Sequence, residues 1–166
     1  MSDHFDKTRD NEKGGELRQF LTFTVAGEEY GVDIMTVREI KGWTETTRLP
    51  NSPAHMRGVM NLRGLIIPIF DMRARFGKGL TQADSSHVII ILAVGERNIG
   101  VLVDGVSDIL STTPEEVKPA PEVDGVPSGE DYITGLISRD ERMVVLLKVG
   151  TLIDTANIPS HSASAA

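Results

Sequence analysis

The sequence predicts an all-β protein made of two copies of one small five-stranded barrel, set side by side, with little helix. Three observations carry this expectation. Val and Ile come in short runs cut by Gly, Pro, Asp and Asn rather than at helical spacing. Residues 25–40, VAGEEYGVDIMTVREI, lie over residues 94–109, VGERNIGVLVDGVSDI, so that Val25, Gly31, Val32, Val37 and Ile40 meet Val94, Gly100, Val101, Val106 and Ile109, and Glu39 meets Asp108. Each copy then carries five short strands in about 70 residues, and a set that small escapes exposed edges most simply by curling into a closed barrel.

In chain order, strands are expected at QFLTFTVA (19–26), EEYGVDIM (28–35), VREIKGW (37–43), RGVMNL (57–62) and LIIPIFDM (65–72). The second copy repeats the series as HVIIILAVG (87–95), RNIGVLVDG (97–105), VSDILS (106–111), YITGLISR (132–139) and RMVVLLKV (142–149). Gly27, Gly95 and the SRDE segment read as hairpin turns. Helix is confined to one turn after Pro53, a short piece near Arg73 and a C-terminal turn around Leu152. The repeat continues less tightly: Pro50 meets Pro119, and RGVMNLRGLIIPI (57–69) follows TGLISRDERMVVL (134–146) once a short insertion is allowed. Pro68 has no amide donor, so its strand is expected at an edge or a bulge. Residues 1–16 and 156–166 lack apolar periodicity and are expected to be disordered tails. The barrels then take residues 17–85 and 86–155, with strand exchange between them left open.

A chain of 166 residues is long enough to bury a real core. Its net charge of −7 argues against a nucleic-acid partner, whose phosphates need a field of Lys and Arg. Without cysteine there is no disulfide framework, thiolate metal site or thiol nucleophile. The first residues lack the apolar stretch of a signal peptide, and later apolar runs are too short to span a bilayer, so a cytoplasmic protein without membrane insertion is expected.

No Gly-x-Ser-x-Gly elbow, His-Glu-x-x-His helix, Walker loop or Gly-x-Gly-x-x-Gly turn occurs in the sequence. His4, His55, His87 and His161 stand at no metal-ligand spacing to one another. His87 reads as a strand-edge residue beside Asp84. DGVSD (104–108) and EVDGVPSGE (122–130) lack the alternating oxygen ligands of a calcium loop and read as turns. The sequence therefore points to no enzyme, no cofactor and no metal.

The remaining question is MNLRGLIIPIFDMRARFG (60–77), where Arg63 and Gly64 form a tight reversal beside an apolar strand. An arginine in such a turn anchors loop carbonyls or pairs with a carboxylate. This segment, with FTVAGEEYGVDIMTVREI, TRLPNSPAHMRGVMNLRG, VGERNIGVLVDGVSDIL, KPAPE and YITGLISRDERMVVLL, resembles the CheW family of chemotaxis coupling proteins from about Phe20 to Leu152. The polar N-terminal stretch, the EVDGVPSGEDY segment and Trp43 depart from the family pattern.

The resemblance implies two SH3-like barrels and a non-catalytic adaptor that couples the cytoplasmic tips of methyl-accepting chemoreceptors to the regulatory domain of the histidine kinase CheA and helps assemble signalling arrays. It implies a cytoplasmic location, with the membrane reached only through partners. By position, a receptor groove would use Val37, Glu39, Gly58, Arg63, Val88, Gly100 and Ile109, with Arg63 paired to Glu39. Kinase contacts would use Ile34, Met35 and Leu65 at one end, and Lys118 and Val123 at the other. Two alternatives are a coupling protein of another receptor–kinase pathway and, from a different class, a small-ligand-binding β-barrel.

Overall fold

The computed structural model describes residues 17–119 and 132–153. Ten strands run through them: β1 (Arg18–Val25), β2 (Glu28–Asp33), β3 (Val37–Gly42), β4 (Met56–Leu62), β5 (Leu65–Asp71), β6 (Val88–Val94), β7 (Arg97–Val103), β8 (Gly105–Thr112), β9 (Ile133–Arg139) and β10 (Arg142–Leu147). Two four-residue helices, α1 (Met72–Arg75) and α2 (Val149–Leu152), close the two halves of the series. All ten expected strands are present, as are the short helices near Arg73 and Leu152. The expected helical turn after Pro53 is a simple reversal, closed by Met56 N donating to Pro53 O at 3.0 Å. Strand β2 ends two residues earlier than expected. Asp33 accepts the Met35 amide at 2.9 Å and caps a 3-10 turn over Ile34–Thr36, and this turn takes Ile34 and Met35 out of the strand.

The strands form two five-stranded sheets, β3-β6-β7-β5-β4 and β8-β1-β2-β10-β9. Replacing β1–β5 by β6–β10, and the reverse, turns one order into the other, so the sequence repeat is a repeat of topology. The registers agree: Phe23 faces Val106 as Leu92 faces Val37, and the parallel pairs Gly31–Leu146 and Gly100–Ile69 are counterparts. Each copy gives its first hairpin to the other copy's sheet. The blocks 17–85 and 86–155 are thus repeat units and not sheets, and each SH3-like barrel draws on both.

This exchange explains why β6 is apolar on both faces and why the middle of β1 is buried on both. Ile89 and Ile91 enter a core enclosed by the β3–β7 barrel with Met60, Leu62, Ile67, Ile69 and Leu102. Ile90 and Leu92 face the opposite way into a larger cluster between the barrels, with Leu21, Phe23, Val25, Phe70 and Val101. Phe20 fills the other barrel with Leu110, Ile137, Val144 and Leu146. Alternate side chains of one strand feed two cores, which is why β6 reads as a continuous apolar run.

Pro68 does not lie on an edge strand, since β5 sits between β7 and β4. Pairing to β7 begins only at Ile69, and Val59, the residue facing Pro68 on β4, exchanges its backbone bonds with Thr47. No ladder bond asks for the missing amide. No helix among the described residues is long and apolar enough to cross a membrane. The two expected tails, Val123 and the EVDGVPSGE segment lie outside the described residues.

Candidate functional site

The reversal between β4 and β5 is a two-residue turn. Arg63 (φ 51°) and Gly64 (φ 89°) both take positive φ, which matches the twist of the flanking strands. Asn61 Oδ1 accepts the Gly64 amide at 2.8 Å and fixes the corner. Positive φ is costly for a residue with a β-carbon, so the backbone gives no reason for arginine at position 63. Its side chain supplies one. Arg63 Nη2 donates to Glu39 Oε1 at 2.6 Å, across from the turn to β3. Strands β3 and β4 are the two ends of the sheet order, so this pair spans the barrel's seam. The bond from Arg63 holds the Glu39 carboxyl below the usual carboxylate range and raises the arginine's own value in turn.

The second barrel uses different residues around the equivalent seam, which Arg139 on β9 crosses by donating to Ser111 O on β8 at 2.9 Å. Asp140 (φ 57°) stands where Arg63 does, and Asp108 stands where Glu39 does. The cation comes instead from Arg142, the counterpart of Leu65, which bridges Glu29 and Asp108. Thr22 also donates to Asp108, and that bond, followed by those from Arg142, holds the Asp108 carboxyl low. The Arg142 side chain is 36 % exposed and Arg63 71 %, so only the first barrel presents its arginine outward while still aiming it.

Among the other positions expected for a receptor groove, Val37 and Val88 are half-buried against the cluster between the barrels. Gly58 and Gly100 are buried, and each has a steric reason to be glycine. A β-carbon at Gly58 (φ 141°) would overlap the Thr47 carbonyl, and one at Gly100 would lie 2.5 Å from Ile69 Cδ1. Ile109 is exposed, but it stands on the other sheet from Glu39 and Arg63, as the counterpart of Ile40. Among the positions expected for kinase contacts, Met35 and Leu65 are exposed and Ile34 is half-buried against the central cluster. Lys118 is exposed and pairs through its backbone with Leu136. His87 Nδ1 lies 3.1 Å from Asp84 Oδ1, as its place at the strand edge suggested.

Sequence reasoning missed one polar centre. Asp71, fully buried, accepts Arg57 Nη1 at 2.8 Å, Thr81 N and Thr81 Oγ1 each at 2.8 Å, and Ala74 N at 3.2 Å. It caps α1 and ties the segment after it back to the barrel. An Asp directly before a short helix was the available signal. No group of three or more side chains able to hold a metal ion occurs among the described residues.

Comparison with known proteins gives a consistent result. Residues 19–157 match the CheW-like domain. The chain is 44 % identical over 138 residues to the chemotaxis protein CheW of Klebsiella aerogenes, covering 83 % of this chain and 82 % of that protein. It is 42 % identical over 135 residues to the probable chemotaxis protein CheW of Rhizobium etli, covering 81 % and 86 %. Among solved structures, the scaffolding protein TtCheW from Thermoanaerobacter tengcongensis superimposes with a TM-score of 0.72 at 30 % identity, over 81 % of this chain and 86 % of that one.

Proposed function

Since the chain belongs to the CheW-like domain family of chemotaxis proteins, we propose that it is a non-catalytic scaffold that couples the helical hairpin tips of chemoreceptors to the regulatory domain of the kinase CheA. The observation that carries this reading is the asymmetry between the two barrel seams. Arg63 is outward, aimed by Glu39, and set on a turn whose backbone disfavours it, whereas the arginines around the counterpart seam, Arg139 and Arg142, are more covered. Ile40 and Ile66, neighbours of this pair in the sequence, are both exposed. An apolar strip beside a fixed guanidinium suits one face of an amphipathic helix that carries a carboxylate.

In this reading Val37, Glu39, Arg63, Val88 and Ile109 belong to the receptor groove, and Gly58 and Gly100 shape it by letting backbone and side chains approach closely. Met35, Ile34 and Leu65 serve one kinase contact, Lys118 and Val123 the other. Signal passes as a change in the relative placement of bound partners, without a chemical step.

Calorimetric titration with a receptor cytoplasmic hairpin and, separately, with the kinase regulatory domain tests it. Saturable binding to both, with the receptor isotherm lost in Arg63→Ala at an unchanged melting temperature, is the expected result. Binding to neither would remove this reading and favour coupling in another receptor–kinase pathway or a small-ligand barrel.

A further inference from the structure

We propose that the mouth of the β3–β7 barrel, where Trp43, Arg48 and Arg57 meet, is a second binding site, which takes a glutamate side chain from an acidic segment of a protein partner. It stands apart from the Arg63–Glu39 seam and does not depend on the coupling role. A cavity of about 220 Å³ opens there, lined by Trp43, Glu45, Thr46, Arg48, Arg57 and Leu80.

Arg57 is the first reason. Its guanidinium carbon lies 4.9 Å from the Trp43 ring centroid, and both of its bonds, to Asp71 Oδ2 and Thr81 O, leave through Nη1. The Nε is buried and so out of a ligand's reach, but Nη2 makes no hydrogen bond to any described residue. A guanidinium with a spare donor on the lining of a cavity is matched best by a carboxylate.

Arg48 is the second. It is exposed and makes no ion pair with any described residue. Its backbone is nevertheless held, because the adjacent Thr47 exchanges two bonds with Val59, at 2.9 and 2.8 Å. Gly58 permits that approach: a β-carbon there would sit 3.0 Å from Arg48 N. A cation on a pinned backbone, beside a cavity with an aromatic wall, is poised for a ligand rather than for the fold.

The rim chooses the ligand. Glu45 also lines it and, like Arg48, makes no ion pair with a described residue. Glu45 beside Arg48 leaves room for one carboxylate and repels a phosphate dianion seated at the same point, while the other carboxylates of an acidic segment stay in solvent, where water and salt screen them. Trp43 and Leu80 offer apolar surface to the two methylenes of a glutamate. Because the whole chain carries −7, the attraction is local and short-ranged.

Trp43 is the only tryptophan, so its emission and its indole N–H resonance report on this site alone. The full chain is titrated with acetylated tetraglutamate, acetylated tetraglutamine and inorganic phosphate, following both signals. A saturable change with tetraglutamate alone, weakened about tenfold or more in a folded Arg48→Glu variant and untouched by Arg63→Ala, is expected for a charge-assisted contact at this site. Silence of both signals, an equal response to tetraglutamine, or an equal response to phosphate would overturn the proposal.

Discussion

Gly58→Ala separates a residue that builds the site from one that touches a partner. Gly58 has φ 141°, a conformation side-chain-bearing residues rarely adopt, and holding alanine there costs about 1–3 kcal/mol. The new β-carbon would overlap the Thr47 carbonyl oxygen and lie 2.6 Å from its carbon. Both are backbone atoms, held by the exchange with Val59, so relief requires moving the loop, at a further cost of about 1–3 kcal/mol. The sum, roughly 2–6 kcal/mol, is a large part of the 5–15 kcal/mol that stabilises a typical domain. At about 2–4 °C per kcal/mol the melting temperature falls by roughly 4–24 °C. Gly100→Ala provides the internal control. Its obstacles are side-chain and not backbone atoms: Ile69 Cδ1 at 2.5 Å is a terminal methyl that can turn aside, and Ile89 Cγ2 at 3.0 Å need give only a few tenths of an ångström, so the loss there is smaller. Calorimetric melting of the wild type and both variants measures the order. A Gly58→Ala protein that melts like the wild type yet fails to bind a receptor hairpin would refute the steric argument and make Gly58 a contact residue.

Three further outcomes are expected. Asp71→Ala strands the Arg57 charge beside an apolar core and should cost about 3–5 kcal/mol in chemical denaturation; faster amide exchange at Thr81 would show the tied segment released. The Glu116 carboxyl is held down to about 2 from an ordinary 4.5 by the Thr112 hydroxyl, the Thr113 amide and Arg139. Its folded value lies below its unfolded value, so its contribution is whole above pH 4.5 and is lost as the pH falls toward 2; Glu116→Gln should flatten the melting curve's pH dependence in that window alone. Arg63→Asn places a residue suited to positive φ in the turn, so the melting temperature should hold or rise while receptor binding is lost. A fall in both would return Arg63 to a structural role.

Much of the site was open to a reader of the sequence, and for identifiable reasons. Arg63 and Gly64 declare a tight turn locally, and the pairing of Glu39 with Arg63 follows once the family's arrangement is assumed. The Asp71 centre was not legible, because its partners Arg57 and Thr81 lie 14 and 10 residues away and meet it only when β4, β5 and the following segment fold together. The use of Gly58 was hidden likewise, since its reason is a carbonyl on a different loop.

By itself the sequence determined the ten strands, their turns and the two-fold repeat, because strand period, turn chemistry and residue spacing are local properties of the chain. It left open which strands share a sheet. Both copies offer equivalent edges and equivalent faces, so pairing within a copy or across copies satisfies the same pattern of residues. Tertiary structure decided for exchange. Asp104 alone joins β7 to β8 and the 3-10 turn Ile34–Thr36 joins β2 to β3, and in both copies the third strand passes to the other sheet. The first hairpins then bury both faces, one in a barrel and one between barrels, and that placement sets β3 and the β4–β5 turn on the two sides of the seam where Glu39 meets Arg63.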